Sequence, residues 1–182
     1  MGVDQGEHRA FERMYAAHHQ LVLRYCYRRL GDLEYARELT QETFVVAWRR
    51  RRDAPEPAAP WLYGIARRVL ADHWRTRRAR PVTVPVAEST DAGAEDGGFD
   101  AVSLAQDLRQ AFIRLSEPDR EILRLVTWEE LDLAAVAQVL GCSRTAAGVR
   151  LFRARRRLHQ LMDTPPPVRV RPVPTSVRGG AL

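Results

Sequence analysis

Leu133–Leu158, LAAVAQVLGCSRTAAGVRLFRARRRL, sets a short apolar helix, a glycine and a second helix in a single run. Asp132 is placed to cap a helix over Leu133–Leu140, Gly141 supplies the bend, and Ser143 caps a helix from Arg144 to about Met162. That order is the helix-turn-helix arrangement. Ala137 and Ala147 are small enough for the two helices to cross closely. The second helix turns Leu151, Leu158 and Leu161 to a core and carries Arg144, Arg150, Arg153, Arg155, Arg156 and Arg157. Such a helix fits the ~12 Å major groove of DNA, with arginines available for phosphates and guanine edges. A helical hairpin with a solvated basic face would show the same pattern, so the groove reading needs support from elsewhere in the chain.

Working outward, Ser116 is an N-cap for the helix that precedes, with Pro118 in its first turn and Asp119 three residues on, where its charge suits the helix dipole. Before it, Val102–Leu115 places Leu104, Leu108, Phe112 and Leu115 on one side. The N-terminal part is also helical by spacing. From Glu7 to Leu30 the stripe is Phe11, Tyr15, Val22, Cys26 and Leu30, ended by Gly31. A helix from Leu33 to about Arg51 buries Ala36, Leu39, Thr43, Val46 and Ala47. After the proline-bearing loop Arg52–Pro60, a helix over Trp61–Arg80 buries Leu62, Ile65, Ala66, Val69 and, on the same arc, His73. No strand signal is present. The expected fold is all-α, with two small helical domains over 7–80 and 102–163. They are joined by a flexible acidic linker over 81–101 and followed by a proline-rich disordered tail over 164–182.

Charge divides the chain in the same places. All 29 basic residues are arginine, and there is neither lysine nor asparagine, a usage that points to a GC-rich genome. Residues 1–80 carry 16 arginines against 10 acids, 81–100 carry 5 acids and no arginine, and 101–182 carry 13 arginines against 8 acids. Two basic lobes flanking an acidic strap suit a polyanionic partner. Cys26 and Cys142 form no CxxC pair and read as small buried hydrophobes, and the five histidines lack zinc spacing, so no metal or cofactor is expected. No P-loop, GxGxxG, GxSxG or HExxH occurs, and no enzymatic constellation replaces them. The polar start MGVDQGEHRA and the lack of an ~18-residue apolar run place the chain in the cytoplasm, with no membrane partner.

Ser116–Leu125, SEPDREILRL, followed by Leu133–Met162, resembles region 4 of the extracytoplasmic-function (ECF, group 4) bacterial sigma factors. Independently, Ala36–Trp48, ARELTQETFVVAW, resembles region 2.2, and Pro60–Arg80, PWLYGIARRVLADHWRTRRAR, resembles regions 2.3–2.4. The resemblances come in the family's order and cover most of the chain outside linker and tail.

The resemblance implies a factor that binds the β′ and β subunits of RNA polymerase core, directs it to promoters and opens the strands. Region 2.2 would dock on the β′ clamp through Glu38, Gln41, Glu42, Phe44 and Trp48; Glu38 and Glu42, four apart, share a helix face. The −10 element would meet Arg50, Arg51, Arg52, Trp61, Tyr63, Arg67, Arg68, His73, Trp74, Arg75, Arg77 and Arg78. Here aromatic rings stack unpaired bases and arginines follow the backbone. Trp61 is also a natural core residue, and Arg68 stands where many relatives carry Asn. The −35 element would meet Ser143, Arg144, Thr145, Gly148, Val149, Phe152, Arg153 and Arg156, with Gly148 and Val149 replacing the family's frequent polar readers. An anti-sigma factor is a further implied partner, and the acidic linker is implied to thread the polymerase cleft. Two other classes stay open at this level. One is a polymerase-independent helix-turn-helix regulator; the other is a nuclease, for which Glu38 and Glu42 supply few carboxylates for Mg²⁺.

Overall fold

The computed structural model describes residues 5–79 and 99–163, with side chains over 5–77 and 104–163. The expectation for the linker over 81–101 lies outside the described residues except for 99–101, which are helical, and that for the proline-rich tail lies wholly outside them. Within them the chain is all-helical: α1 (Gln5–Leu30), α2 (Leu33–Arg49), a 3-10 turn (Arg51–Asp53), α3 (Ala59–Ala79), α4 (Phe99–Arg114), α5 (Glu117–Thr127), α6 (Leu133–Leu140) and α7 (Arg144–Asp163). Four boundaries differ from the sequence reading by two residues or more: α1 starts at Gln5 and α3 at Ala59, each two residues early, and the end of α2 and the start of α4 also shift. α2 stops two residues early because the Arg50 N–H is shared between the carbonyls of Val46 and Ala47, which tightens the last turn into the 3-10 segment. α4 starts three residues before Val102.

Gly31 and Ser116 punctuate the helices where the residues predict it, and Asp32 adds a cap that the sequence reading did not name. Gly31, at φ 70°, lets its N–H reach the Tyr27 carbonyl and close α1, while the Asp32 carboxylate accepts from the N–H groups of Glu34 and Tyr35 to open α2. Ser116 accepts from the Asp119 N–H and donates its own hydroxyl to the Asp119 carboxylate.

In the first lobe α1, α2 and α3 close on Val22, Tyr25, Cys26, Leu39, Phe44, Leu62, Ile65 and Leu70, with Ala36, Ala47 and Ala66 where backbones approach. Thr40 and Thr43 are buried without loss because their hydroxyls donate to the carbonyls of Ala36 and Leu39. In the second lobe Leu115, Ile122, Leu125, Val136, Ala137, Ala147, Leu151 and Ala154 form the core. Three residues expected inside are exposed: Tyr15, and Leu104 and Leu108 on α4. The α4 pair is left out because the apolar arc of α7 is already taken up by α5 and α6, and α4 meets α7 through its C-terminal end around Ala111 and Leu115. The two lobes touch. α3 lies on α6, and a Cβ placed on Gly64 would stand 3.9 Å from the Val139 backbone, ordinary van der Waals contact.

Candidate nucleic-acid interface

The second lobe presents its candidate face ready-made. Asp132 accepts from the Ala135 N–H at 2.8 Å to start α6, Gly141 at φ 64° ends it, and Ser143 accepts from the Ala146 N–H at 3.1 Å to start α7. These caps fix the phase of α7, so that Ala147, Leu151 and Ala154 turn inward while Val149, Arg150, Phe152 and Arg153 turn out. Ser143, Arg144, Thr145, Val149, Arg153 and Arg156 are exposed, and Phe152 is 67% exposed with no ring partner among the described residues. Exposing a phenylalanine costs hydrophobic free energy unless something covers it. Gly148 departs from the sequence expectation: it is half-buried, and a Cβ there would point at the Leu133 Cδ1, 4.0 Å away, so it faces α6 rather than a ligand. Arg157 is committed to structure, donating to both carboxylate oxygens of Asp119 at 2.7 and 2.9 Å, which ties α7 to the start of α5.

The first lobe is arranged differently. Arg51 and Arg52 both donate to Glu7, at 3.0 and 2.8 Å, and the Arg51 guanidinium lies 4.3 Å from the Trp48 ring centroid. Arg50 pairs with Asp53, and Arg75 with Asp72 one turn earlier on α3. Arg67 and Arg68 are exposed, Trp61 and Trp74 are half-buried against the core, and the Arg77 guanidinium lies 5.1 Å from the Tyr35 ring. Arg78 is on α3, but its side chain is outside the described residues. Tyr63 corrects the sequence reading. It is 3% exposed and packs on the Tyr25 ring at 5.0 Å, and burial with Glu129 nearby pushes its phenol up to about 12. It does not present a stacking surface in this arrangement. His73 is half-buried between Tyr35 and Trp74, and its Nε2 finds no hydrogen-bond partner among the described residues. Burial and the Arg77 charge lower its pKa, against a smaller opposing pull from Glu38 and Glu42.

On α2, Glu38, Gln41 and Glu42 form an exposed strip, and neither glutamate makes a salt bridge among the described residues. Phe44 does not belong to that strip. It is 4% exposed, with Tyr15 at 4.7 Å and His19 stacked at 6.1 Å, so it holds α2 to α1 instead of offering a ring outward. Trp48 is half-buried between His8 at 5.1 Å and Phe11 at 4.9 Å, at the edge of an open apolar depression of about 340 Å³ lined also by Glu12 and Tyr15.

One cluster was not legible beforehand. Tyr25 and Arg29 of α1 meet Glu121 of α5 and Glu129 of the turn after it. Arg29 donates to both Glu121 oxygens at 2.9 and 3.1 Å and to Glu129 at 3.1 Å, the Tyr25 hydroxyl donates to Glu121 at 2.8 Å, and Arg28 reaches Glu129 at 3.3 Å. The side chains of Arg29, Glu121 and Glu129 are 6, 8 and 3% exposed. Burial raises the Glu129 carboxyl although Arg29 and Arg28 pull it down. A signal did exist, since Glu121 adjoins the apolar arc of Ile122 and Leu125, but its partners lie 92 and 96 positions away. Among the described residues no cluster of His, Cys, Asp and Glu could hold a metal ion, and no helix is long and apolar enough to cross a membrane.

Residues 14–80 match Sigma-70 region 2, and residues 105–158 match Sigma-70, region 4. The ECF RNA polymerase sigma factor BldN of Streptomyces coelicolor is 34% identical over 169 residues, 86% of this chain and 62% of BldN, so the chain spans under two thirds of that relative's length. The ECF RNA polymerase sigma factor SigF of Caulobacter vibrioides is 33% identical over 134 residues, 72% of each protein. Among solved structures, CnrH in complex with the cytosolic domain of CnrY superposes with a TM-score of 0.58 at 27% identity, covering 86% of this chain and 89% of that one. The sigma factor RpoE of Bartonella quintana shares the fold at a TM-score of 0.62 and 20% identity, over 87% of this chain and 99% of that one.

Proposed function

The chain belongs to the sigma-70 family as an ECF RNA polymerase sigma factor, a factor of transcription initiation, and from that premise we propose how its two lobes divide the work. It is a group 4 member that binds polymerase core and brings it to a restricted set of promoters. The second lobe reads the −35 duplex by laying α7 in the major groove, with Arg144, Val149, Phe152 and Arg153 toward the bases and Arg156 toward phosphates. The observation that carries this reading is the outward face of α7, where arginines and an uncovered Phe152 stand opposite a buried alanine and leucine stripe inside the region 4 match. The first lobe docks on the β′ clamp through the unpaired strip Glu38–Gln41–Glu42, which suits arginines on a partner. It holds the melted −10 strand along Arg67, Arg68, Trp61 and Trp74. The bond-making chemistry belongs to the polymerase, in keeping with a family of non-enzymatic initiation factors.

An anti-sigma protein that masks one or both lobes belongs to the same reading. It is supported by CnrH, whose structure was solved with a protein partner bound. The match of the first lobe to region 2 removes the ground for a polymerase-independent regulator.

The test is to mix the chain with bacterial core polymerase, follow co-elution by size exclusion, and then measure promoter-dependent transcription. Co-elution with initiation on selected promoters is the expected result. Failure to co-elute with the cognate core, together with sequence-specific DNA binding by the chain alone, overturns it. Glu42→Arg refines the docking assignment: it is expected to weaken core binding by about 2–5 kcal/mol if Glu42 meets a desolvated arginine. It should leave −35 duplex binding unchanged, and an unaltered core affinity would remove Glu42 from the docking surface.

A further inference from the structure

From Arg144 to His159, α7 carries no asparagine, glutamine, aspartate or glutamate; the first such residue is Gln160, in the last turn. The omission matters because bases in the major groove are read by matched edges. Arginine meets O6 and N7 of guanine, and an amide side chain meets N6 and N7 of adenine. A carboxylate accepts from N4 of cytosine, and an apolar group packs on the C5 methyl of thymine. Of these four kinds of reading group, α7 presents only the first and the last.

Placement decides which residues do the reading. At about 100° per residue, Val149 and Phe152 lie within about 50° of the direction opposite the buried stripe of Ala147, Leu151 and Ala154. They are 44 and 67% exposed, at the centre of the face that would meet the groove floor. Arg153 stands beside them and Arg144 at the helix start, and neither guanidinium makes a hydrogen bond or an ion pair among the described residues. The hydroxyls add little choice. Ser143 already accepts from the Ala146 N–H, and a threonine such as Thr145 serves either kind of edge. The apolar pair also discriminates by repulsion. Pressed on an amino or carbonyl group it would displace water without replacing the hydrogen bond, whereas a thymine methyl gains by being covered.

We propose that the chain reads its −35 element through two base edges only: guanine by Arg144 and Arg153, and the thymine methyl by Val149 and Phe152. The inference rests on the α7 reading proposed above and adds to it which bases are chosen. Adenine and cytosine are then specified only through the thymine or guanine paired with them.

The test uses holoenzyme, the full chain with bacterial core polymerase, and a promoter selected from a library randomised over the −35 element. Base analogues are then placed in that element one position at a time, on both strands. Deoxyuridine removes the thymine methyl, and 7-deazaguanine and 7-deazaadenine remove N7. At least one uracil should weaken binding about fourfold, the worth of one buried methyl group. At least one 7-deazaguanine should weaken it about tenfold. No 7-deazaadenine should change it. In Val149→Ala/Phe152→Ala, which shortens only exposed side chains, thymine and uracil promoters should bind alike while 7-deazaguanine keeps its effect.

Uracil without effect at every thymine overturns the proposal, as does a uracil penalty that survives in the double variant. A selected element without A·T pairs, or a 7-deazaadenine penalty as large as that of 7-deazaguanine, overturns it too. A preferred −35 sequence that ignores the methyl sinks this inference alone. If selection returns no preferred −35 sequence, α7 is not a reader and the −35 assignment falls together with it.

Discussion

The candidate residues of the two lobes stand in opposite states. On α7 the outward residues are uncovered and uncommitted: among the described residues Val149, Phe152 and Arg153 make no hydrogen bond, ion pair or ring contact that competes with a ligand, and the caps at Ser143 and Gly141 hold them in place. In the first lobe most candidates are occupied. Arg51 and Arg52 are held by Glu7, Arg75 by Asp72, Tyr63 is buried beside Tyr25, and Trp61 and Trp74 lie half in the core. A surface meant for duplex DNA can be built in advance, because the duplex presents a regular groove. A surface meant for unstacked bases needs apolar rings, and rings left bare in water would be a liability until the strand arrives. The difference therefore follows from the two kinds of ligand, and each of the following measurements either breaks or sharpens it.

The largest effect is expected at Phe44, which the motif QETF would assign to docking and the structure assigns to the core. Phe44→Ala should cost about 3–5 kcal/mol of first-lobe stability, because it removes a ring packed by Tyr15, His19 and Phe11. Chemical denaturation reads this directly. Native stability combined with lost polymerase binding would return Phe44 to the docking strip.

Next is Arg153 on the ready-made face. Arg153→Ala should weaken binding of the second lobe's cognate −35 duplex by about 1–3 kcal/mol and relax preference at one base position if the contact is bidentate to a guanine. A uniform loss across sequences, with a shallower salt dependence, would make Arg153 a phosphate contact instead. An unchanged footprint would take it out of the interface.

Gly148 gives a smaller effect of opposite sign. Since a Cβ there meets only the Leu133 Cδ1 at 4.0 Å, Gly148→Ala should stabilise the second lobe by about 0.5–1 kcal/mol through helix propensity, with DNA affinity unchanged. A loss of DNA binding would show that the groove approaches the α7 backbone at this point.

How far the sequence carried depended on the range of the interaction concerned. Helix ends were legible because capping is local: Ser116, Asp132, Ser143 and the glycines at 31 and 141 act within four residues of themselves. The stripe of α3 was legible for the same reason, down to Leu62, Ile65, Ala66 and Val69. Tyr25 and Phe44 escaped because they lie beside the predicted stripes, and a ring reaches sideways into a core that three helices share. The exposure of Leu104 and Leu108 escaped because it depends on how much of α7 is already covered by α5 and α6. The Tyr25–Arg29–Glu121–Glu129 cluster left only the trace of Glu121 beside an apolar arc, and its partners could not be read, since Arg29 and Tyr25 lie 92 and 96 positions away and are ordinary helix residues until the fold brings them together. In the candidate site, residue types and helix were legible, whereas the commitment of Arg51, Arg52 and Tyr63 to internal partners was not.

The smallest expected effect concerns His73, the −10 candidate whose state depends most on its surroundings. It is packed by Tyr35 and Trp74 and faces Arg77 from its own helix and Glu38 and Glu42 from α2. Burial and Arg77 together hold its pKa below the ordinary histidine value, so the folded lobe binds this proton more weakly than the unfolded chain does. The linkage then favours unfolding as the pH falls through the unfolded-state value of about 6.5, and the stability associated with a neutral His73 is present above it. Thermal unfolding of the wild-type chain should lose stability between pH 7 and pH 5, and His73→Phe, which cannot take up a proton, should lose less over the same interval. Equal slopes in the two proteins would mean that His73 reaches water and keeps its proton as readily in the fold as out of it. In that case its ring would be open to a base in the way that the rings of Tyr63 and Phe44 are not.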